Sequence, residues 1–199
     1  MRNGKSEKDR SRRRRKRITI VTVYVAIAVG LAWFFESQAT TTVIFVRHAE
    51  KDLSIPDDPP LSPAGRERVA ELTRQLVDAD VVAGIDAIYA TPFVRTQQTA
   101  EPLSARLNIP IQNYDPDDNE AVLDRILKKH KGKIVLVVGH SDTIPTLIAD
   151  LGASKKVPPI AEDEYDNIYL VSIPWFGQTK TIRLRYGAPY LGPPGEAVM

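Results

Sequence analysis

Residues 42–51 read TVIFVRHAEK, in which a short apolar and β-branched run is followed at once by Arg47 and His48. Such a run is too short for a helix and predicts a strand buried on both faces of a sheet. Residues 133–141, KIVLVVGHS, repeat the pattern with His140 after the apolar run. Because ligands bind at the carboxyl ends of strands in open α/β sheets, we expect both imidazoles to face one crevice.

Short apolar runs and helix signals alternate through the rest of this region. Strands are predicted at 42–46, 87–90, 110–114 and 133–139, and helices at 63–78, 91–107, 119–129 and 143–151. Ser62-Pro63 and Thr91-Pro92 each place a capping side chain before a proline, which favours the first helical position. The alternation predicts an α/β fold, a three-layer αβα sandwich with a mostly parallel central sheet. Within 167–186, two strand-like runs flank PWFGQ and predict a hairpin at the sheet edge.

The N-terminal region has the pattern of a membrane anchor. Residues 1–17 contain ten Lys or Arg and two acidic residues, and residues 18–35, ITIVTVYVAIAVGLAWFF, carry no charge. Eighteen helical residues span about 27 Å, close to the thickness of a bilayer core. Because basic residues beside a first span stay in the cytoplasm, we expect a single-pass protein with its bulk outside the cytoplasm. The alternative is a cleaved signal peptide with Ser37-Gln38-Ala39 as the cleavage site.

These patterns predict five segments along the chain. They are a basic cytoplasmic segment at 1–17, a transmembrane helix at 18–35, a linker at 36–41, a catalytic domain at 42–186 and a flexible tail at 187–199. The basic segment needs no nucleic-acid partner, because its position beside a membrane span explains it.

Composition excludes several kinds of chemistry. The chain has no Cys, which excludes disulfides, Cys-ligated zinc, iron–sulfur clusters and thiol nucleophiles. The zinc motif HExxH is absent, and Arg47 and Lys51 close to His48 would repel a cation, so we expect no metal and no cofactor. His130 lies within KKHKGK and is expected to be a solvated surface residue.

Arginine beside histidine favours an anion with several oxygens, and phosphate is such an anion. Arg47 follows the first strand, and Arg95 lies early in the predicted helix at 91–107. A phosphoryl group can engage two guanidinium groups and a protonated imidazole while the other imidazole approaches phosphorus in line. For Arg47 alone, a salt bridge to a core acid is the alternative.

Three separated motifs resemble those of the histidine phosphatase superfamily, also called the phosphoglycerate mutase-like family. They are RHAEK at 47–51, RTQQTA at 95–100 and GHS at 139–141. The resemblance implies that His48 is the nucleophile and forms a phosphohistidine that water hydrolyses. It also implies that Arg47, Arg95 and a protonated His140 neutralise the phosphoryl oxygens.

Other site residues follow from position. Lys51 and Ser141 are expected to bind substrate. Ala49 stands where the family commonly has Gly, and no Glu matches the family's general acid. Asp115 is therefore the predicted proton donor, with Asp117 and Asp142 as alternatives and a turn role before Pro116 as the non-catalytic one.

The sequence thus predicts a membrane-anchored phosphatase that hydrolyses phosphomonoesters or related phosphoryl compounds. Its substrate is expected to be a phosphorylated small molecule or a lipid-linked phosphate. A mutase is disfavoured because there is little room between the motifs for capping segments. A catalytically inactive phosphoanion-binding or scaffold domain is the alternative from another class.

Overall fold

The chain divides into two units, residues 1–39 and 40–199, and the computed structural model describes residues 3–37, 40–78, 84–154 and 156–192. The described residues of the first unit form one helix, α1 (Asn3–Ser37). The predicted basic segment and apolar span are therefore parts of one continuous helix. Arg12–Phe35 is long and apolar enough to cross a membrane, by length and composition, and a signal sequence would pass the same test.

The second unit, here called the α/β domain, contains ten helices and strands within its described residues. They are β1 (Thr40–Arg47), α2 (Pro63–Asp78), β2 (Ala87–Ala90), α3 (Val94–Leu107), β3 (Ile111–Asn113), α4 (Asn119–Lys129), β4 (Ile134–Gly139), α5 (Thr143–Asp150), β5 (Asn167–Pro174) and β6 (Lys180–Arg185). The sheet order is β3-β2-β4-β1-β5-β6. The first four strands are parallel, while β5 and β6 form an antiparallel hairpin on β1. The predicted fold class and hairpin are confirmed.

Alternating residues of each central strand face opposite helical layers, because successive side chains of a strand point to opposite faces. Val43 and Phe45 pack in one cluster with residues of α4 and α5. Ile44 and Val46 pack in a second cluster with Leu72 and other residues of α2 and α3. Both faces of β1 are therefore buried, as its apolar sequence predicted.

The connections that follow β1 and β4 lead to helices on opposite faces of the sheet, and this divergence positions the site. α2, which follows β1, packs on one face of the sheet, and α5, which follows β4, packs on the other. A crevice opens between two adjacent strands where their connections diverge in this way. It lies beyond the carboxyl ends of β1 and β4, where Arg47 and Gly139 are register partners.

Two predicted boundaries are wrong. The linker at 36–41 is shorter than expected, because α1 ends at Ser37 and β1 begins at Thr40; Gln38 and Ala39 of the cleavage-like site lie outside the described residues. Thr91 does not cap the following helix, which begins at Val94. The Val94 N–H instead donates to both carboxylate oxygens of Asp58, each at 3.0 Å.

The predicted flexible tail is partly bound to the domain. Residues 187–192 form no helix or strand, but the Ala188 carbonyl accepts a hydrogen bond from Arg68 Nη2. The Tyr190 N–H donates to Asp166 Oδ2 at 2.8 Å. Residues 193–199 lie outside the described part of the chain.

Candidate active site

His48 and His140 meet at the carboxyl ends of β1 and β4. Their ring centroids are 5.4 Å apart in an edge-to-face arrangement. The backbone N–H of His48 donates to the Gly139 carbonyl at 3.0 Å. Both residues are buried, with exposed fractions of 4% and 9%. Two histidines that are 92 positions apart in sequence therefore lie in one crevice, as predicted.

An open cleft of about 550 Å³ lies over these rings. It is lined by Arg47, His48, Lys51, Phe93, Arg95, Pro116, Asp117, His140, Ser141, Asp142, Thr143, Ile160 and Glu162. Six of the seven predicted site residues are among them, and the exception is Asp115. Within the described residues, no three His, Asp or Glu side chains come together as metal ligands.

Arg47 is held by the loop that precedes β5. Its Nη1 donates to the carbonyls of Ala161 and Glu164 at 2.7 and 3.0 Å, and its guanidinium lies 4.1 Å from the Tyr165 ring centroid. Its Nε is buried and has no hydrogen-bond partner in the described part of the chain. Arg47 forms no ion pair with any described residue, so the alternative of a core salt bridge is not found. A buried donor without a partner suits an anion that accepts its hydrogen bond.

Arg95 enters the cleft from the first turn of α3. Its guanidinium lies 4.5 Å from the Phe93 ring centroid, and its Nη1 is 3.4 Å from Asp58 Oδ1. Its buried Nε also lacks a hydrogen-bond partner among the described residues. Asp58 therefore both caps α3 and steadies Arg95. The two arginines together leave two buried donors for an oxyanion.

His48 has one ring nitrogen engaged and one available. Its Nδ1 lies 2.8 Å from the Ala49 carbonyl oxygen, which can only accept, so Nδ1 carries the proton and Nε2 has the lone pair. Burial, followed by the nearby charges of Arg47 and His140, lowers the pKa of His48 from 6.5 to about 3, although the bond to Ala49 opposes this. His48 is therefore neutral at pH 7, as a nucleophile must be.

His140 is also neutral in the protein alone. Burial, and then the charge of Arg95, lowers its pKa from 6.5 to about 4. The expected protonated His140 is thus not the state that the protein groups alone favour, because burial, and then the charges of Arg95 and Arg47, disfavour the charged ring. Its Nε2 lies 3.0 Å from Thr91 Oγ1, which in turn lies 2.8 Å from Thr96 Oγ1.

Asp115 occupies a turn. Its Oδ1 accepts a hydrogen bond from the Asp117 N–H at 3.0 Å, which is the non-catalytic role considered for it. Asp117 and Asp142 line the cleft, and Asp142 also accepts from the Thr143 N–H at the start of α5. Glu162 lines the cleft as well and lies 3.7 Å from Lys51 Nζ.

His130 differs from its prediction as a solvated residue. Its Nε2 lies 3.0 Å from the hydroxyl of Tyr89, and its ring packs edge-to-face on the Tyr89 ring. It is half-buried and, because of this burial, its pKa is lowered. It is not among the residues that line the cleft.

Sequence reasoning missed several contributors to the site, among them Thr91, Phe93 and Tyr165. Phe93 packs edge-to-face on His140, with 5.3 Å between the centroids. Thr91 and Phe93 immediately precede the second arginine motif, so proximity to Arg95 was the available signal. Tyr165 comes from a loop about 115 residues after Arg47, and no local pattern indicates its contact.

Residues 43–116 match the family model described as the histidine phosphatase superfamily (branch 1). The resemblance that the three motifs predicted is therefore found over residues 43–116. The match includes Arg47, His48 and Arg95 and ends before His140, which the fold itself brings to the site. Comparison with the curated proteins finds no matching sequence.

Several solved structures share the fold. The protein histidine phosphatase SixA complexed with tungstate matches with a TM-score of 0.59 and 22% identity, over 72% of this chain and 96% of that one. Bacillus stearothermophilus YhfR matches with a TM-score of 0.56 and 18% identity, over 70% of this chain and 94% of that one. A mycobacterial glucosyl-3-phosphoglycerate phosphatase matches with a TM-score of 0.56 and 13% identity, over 75% of this chain and 99% of that one. The family and these neighbours support phosphatase or phosphotransferase activity.

Proposed function

We propose that this protein is a membrane-anchored phosphatase that hydrolyses phosphomonoesters through a phosphohistidine on His48. The observation that carries the proposal is the 5.4 Å approach of the His48 and His140 rings in a cleft that Arg47 and Arg95 also line. Because His48 Nδ1 donates to the Ala49 carbonyl, His48 Nε2 keeps a free lone pair. The arginines offer buried donors to the oxygens of a phosphoryl group.

His48 Nε2 attacks phosphorus in the first step. The N–P bond forms as the bond from phosphorus to the ester oxygen breaks, and the leaving alcohol takes a proton from an acid in the cleft. In the second step water attacks phosphorus and gives a proton to the carboxylate left ionised by the first step, the N–P bond breaks, and inorganic phosphate leaves. Covalent catalysis divides the displacement into two easier steps.

Arg47 and Arg95 stabilise the charge that spreads over the equatorial oxygens during both steps. Their positions are fixed before substrate arrives, by the Ala161 and Glu164 carbonyls for Arg47 and by Asp58 for Arg95. Because fixed donors need no reorganisation as the reaction proceeds, stabilisation of this type usually contributes more to the rate enhancement of an enzyme than any other effect.

His140 acquires its proton together with the substrate. Its pKa of about 4 leaves it neutral at pH 7, whereas a bound phosphoryl dianion beside it favours the protonated ring. A phosphomonoester that binds as the monoanion can hand its proton to His140. We therefore expect kcat/KM to fall as pH rises above the second pKa of the phosphate, about 6.

Asp117 is the proposed proton donor to the leaving oxygen. It lines the cleft, and its carboxylate forms no hydrogen bond or ion pair with the described residues. Asp142 is engaged at the start of α5, and Glu162 is paired with Lys51. Of the three acids, Asp117 alone is uncommitted. Lys51 and Ser141, also in the cleft, are proposed to bind substrate.

Residues 18–35 are proposed to anchor the protein in a membrane with the α/β domain outside the cytoplasm. The support is the length of the apolar helix and the basic residues that precede it. SixA is described as a protein histidine phosphatase, but phosphorylated signalling proteins are mostly cytoplasmic. This placement therefore favours small phosphomonoesters as substrates.

Turnover by the full chain in detergent micelles tests the proposed activity. The wild type should release phosphate from p-nitrophenyl phosphate in the presence of EDTA, and His48→Ala should abolish the release. His130→Gln is the matched control, because it removes a histidine outside the cleft and should retain activity. Equal turnover by His48→Ala and the wild type would contradict the proposal, and an inactive but phosphate-binding wild type would favour the scaffold alternative.

A further inference from the structure

The end of the α/β domain opposite the cleft carries two exposed aromatic side chains. Trp175 and Phe176 form the turn between β5 and β6, and their exposed fractions are 62% and 90%. The antiparallel register pairs Thr40 with Pro174, so this turn lies beside the first residue of β1. Exposed Trp and Phe at a turn are characteristic of side chains that enter the interfacial layer of a bilayer.

A lysine-rich segment, residues 128–133 (KKHKGK), connects α4 to β4 and lies on the other side of β1. The Gly132 N–H donates to Thr41 Oγ1 at 3.0 Å, and the Thr42 N–H donates to the Lys133 carbonyl at 2.9 Å. Since β4 and β5 flank β1 and strands are about 4.8 Å apart, the two turns are separated by about 10 Å. Aromatic and basic groups therefore share the same end of the sheet.

Part of this positive charge is uncompensated. Lys128 and Lys133 pair with Asp124 and Asp86. Lys129, Lys131 and Lys180 are exposed and form no ion pair with any residue that the structure describes. Unpaired lysines around exposed aromatic rings match the chemistry of a surface that contains anionic lipid headgroups.

The covalent connection limits how far this end can lie from a membrane. Five peptide units join Phe35, the last residue of the apolar stretch, to Thr40. A fully extended chain of that length reaches about 18 Å at most. An anchored α/β domain therefore keeps the start of β1, and the two turns beside it, close to the headgroup layer.

We propose that the basal surface, formed by Trp175, Phe176, Lys129, Lys131 and Lys180, docks on the anionic bilayer that holds residues 18–35. The inference rests on the anchoring part of the proposed function. It adds a specific orientation: the aromatic turn enters the interface, and the lysines lie among anionic headgroups.

The orientation has a consequence for the substrate. β1 is eight residues long and leads from the basal surface to His48, a distance of about 25 Å at the usual rise of a strand. A docked domain therefore presents its cleft to water, well above the lipid headgroups. The substrate is then a soluble phosphomonoester and not a phosphate on a lipid of the same membrane.

The two tryptophans make the docking directly measurable. The chain contains only Trp33 and Trp175, so Trp33→Phe leaves Trp175 as the single tryptophan, which can be excited selectively over the tyrosines. After reconstitution into vesicles of phosphatidylcholine and phosphatidylglycerol, we expect a blue shift of Trp175 emission and quenching by brominated lipid. Both effects should weaken in pure phosphatidylcholine and in the Lys129→Glu/Lys131→Glu variant.

The reciprocal variant Trp175→Phe leaves Trp33 as the single tryptophan. Its fluorescence is the control for insertion of the apolar helix into the bilayer. Quenching of Trp33 together with unquenched, acrylamide-accessible Trp175 would overturn docking and leave the anchor intact. Absence of Trp33 quenching and of vesicle flotation would overturn the anchor and the docking together. Hydrolysis of p-nitrophenyl phosphate by the same vesicles monitors the catalytic proposal separately, and hydrolysis of phosphatidic acid in them would overturn the orientation.

Discussion

Thr91 Oγ1 lies 3.0 Å from His140 Nε2 and links that imidazole to the start of α3. Thr96 Oγ1 lies 2.8 Å from Thr91 Oγ1 and also 2.8 Å from the Phe93 carbonyl, which can only accept. The three hydrogen bonds can therefore point the same way: His140 Nε2–H donates to Thr91 Oγ1, Thr91 donates to Thr96 Oγ1, and Thr96 donates to the Phe93 carbonyl. In this arrangement Thr91 Oγ1 accepts a hydrogen bond from the Nε2–H of His140 and stabilises the protonated form of the ring.

Replacement of Thr91 by Val removes that acceptor and preserves the shape of the side chain. A hydrogen bond to a charged group contributes about 1.5–3 kcal/mol, so kcat/KM is expected to fall about 10–100-fold. The optimum of the pH–rate profile should also move to lower pH, because a protonated His140 has lost its partner. Steady-state kinetics from pH 4 to 8 measure both effects.

Thr91→Ser is the matched control, since it keeps the hydroxyl and should keep most of the activity and the wild-type pH profile. A loss in Thr91→Val without any movement of the profile would indicate a purely structural role and contradict this account.

The lowered pKa values of the two site histidines predict an acid-sensitive fold. The pKa of His140 is about 4 in the folded protein against 6.5 for an ordinary histidine, so the unfolded chain binds a proton more readily. The resulting stability is present above pH 6.5 and is lost as pH falls toward 4, by at most about 3 kcal/mol. Thermal unfolding of wild type and His140→Gln measures this, and the variant should show the shallower decline. Parallel curves for the two proteins would contradict the assignment.

Asp117 and Asp115 provide a closely matched pair for testing the proton donor. Asp117→Asn should reduce kcat for an alkyl phosphate about 10²-fold or more, because the alkoxide then leaves without a proton. Its effect on p-nitrophenyl phosphate should be small, since nitrophenolate leaves unprotonated. The measurement is kcat for both substrates.

Asp115→Asn should leave the ratio of the two rates unchanged, because its carboxylate accepts a hydrogen bond within the turn. If Asp115→Asn, rather than Asp117→Asn, lowered the alkyl phosphate rate selectively, the prediction from sequence would be correct and the assignment of Asp117 wrong.

Gly65 allows α2 to approach the segment that follows His48. A Cβ at Gly65 would lie only 2.3 Å from the Glu50 carbonyl oxygen, which accepts a hydrogen bond from the Ser62 N–H. Gly65→Ala must therefore displace backbone and should lower the free energy of unfolding by about 1–3 kcal/mol. Glu67→Ala, at an exposed position of the same helix, should stay within about 0.5 kcal/mol. Chemical denaturation measures both, and equal stability would contradict the tight contact.

The fold was largely predictable because its central strands are apolar on both faces. The predicted helix at 119–129 agrees with α4, and the Ser62 hydroxyl accepts a hydrogen bond from the Gly65 N–H at the start of α2. Thr91-Pro92 predicted a cap of the same type at the start of α3. The Thr91 hydroxyl instead forms a hydrogen bond with His140, and Asp58 from a distant loop caps α3. Local sequence cannot distinguish these cases, because the competing partner is 49 residues away.

The histidines and arginines of the site were predictable from their positions after strands and at a helix start. Which acidic residue lines the cleft was not predictable, because loop conformation decides which carboxylate of the segment 115–118 faces it. The aromatic support of Arg47 by Tyr165 was equally hidden, since it depends on a loop that folds back over β1. Contacts between loops carry no periodic signal in sequence.

The measurement that tests the central claim most directly is trapping of the phosphoenzyme. The full chain in detergent, mixed rapidly with a phosphomonoester and quenched with alkali, should carry one phosphoryl group, and peptide mass spectrometry should place it on His48. The label should be acid-labile and absent from His48→Ala, while His130→Gln retains it. Turnover without any labelled His48, or a label on another residue, would contradict the account.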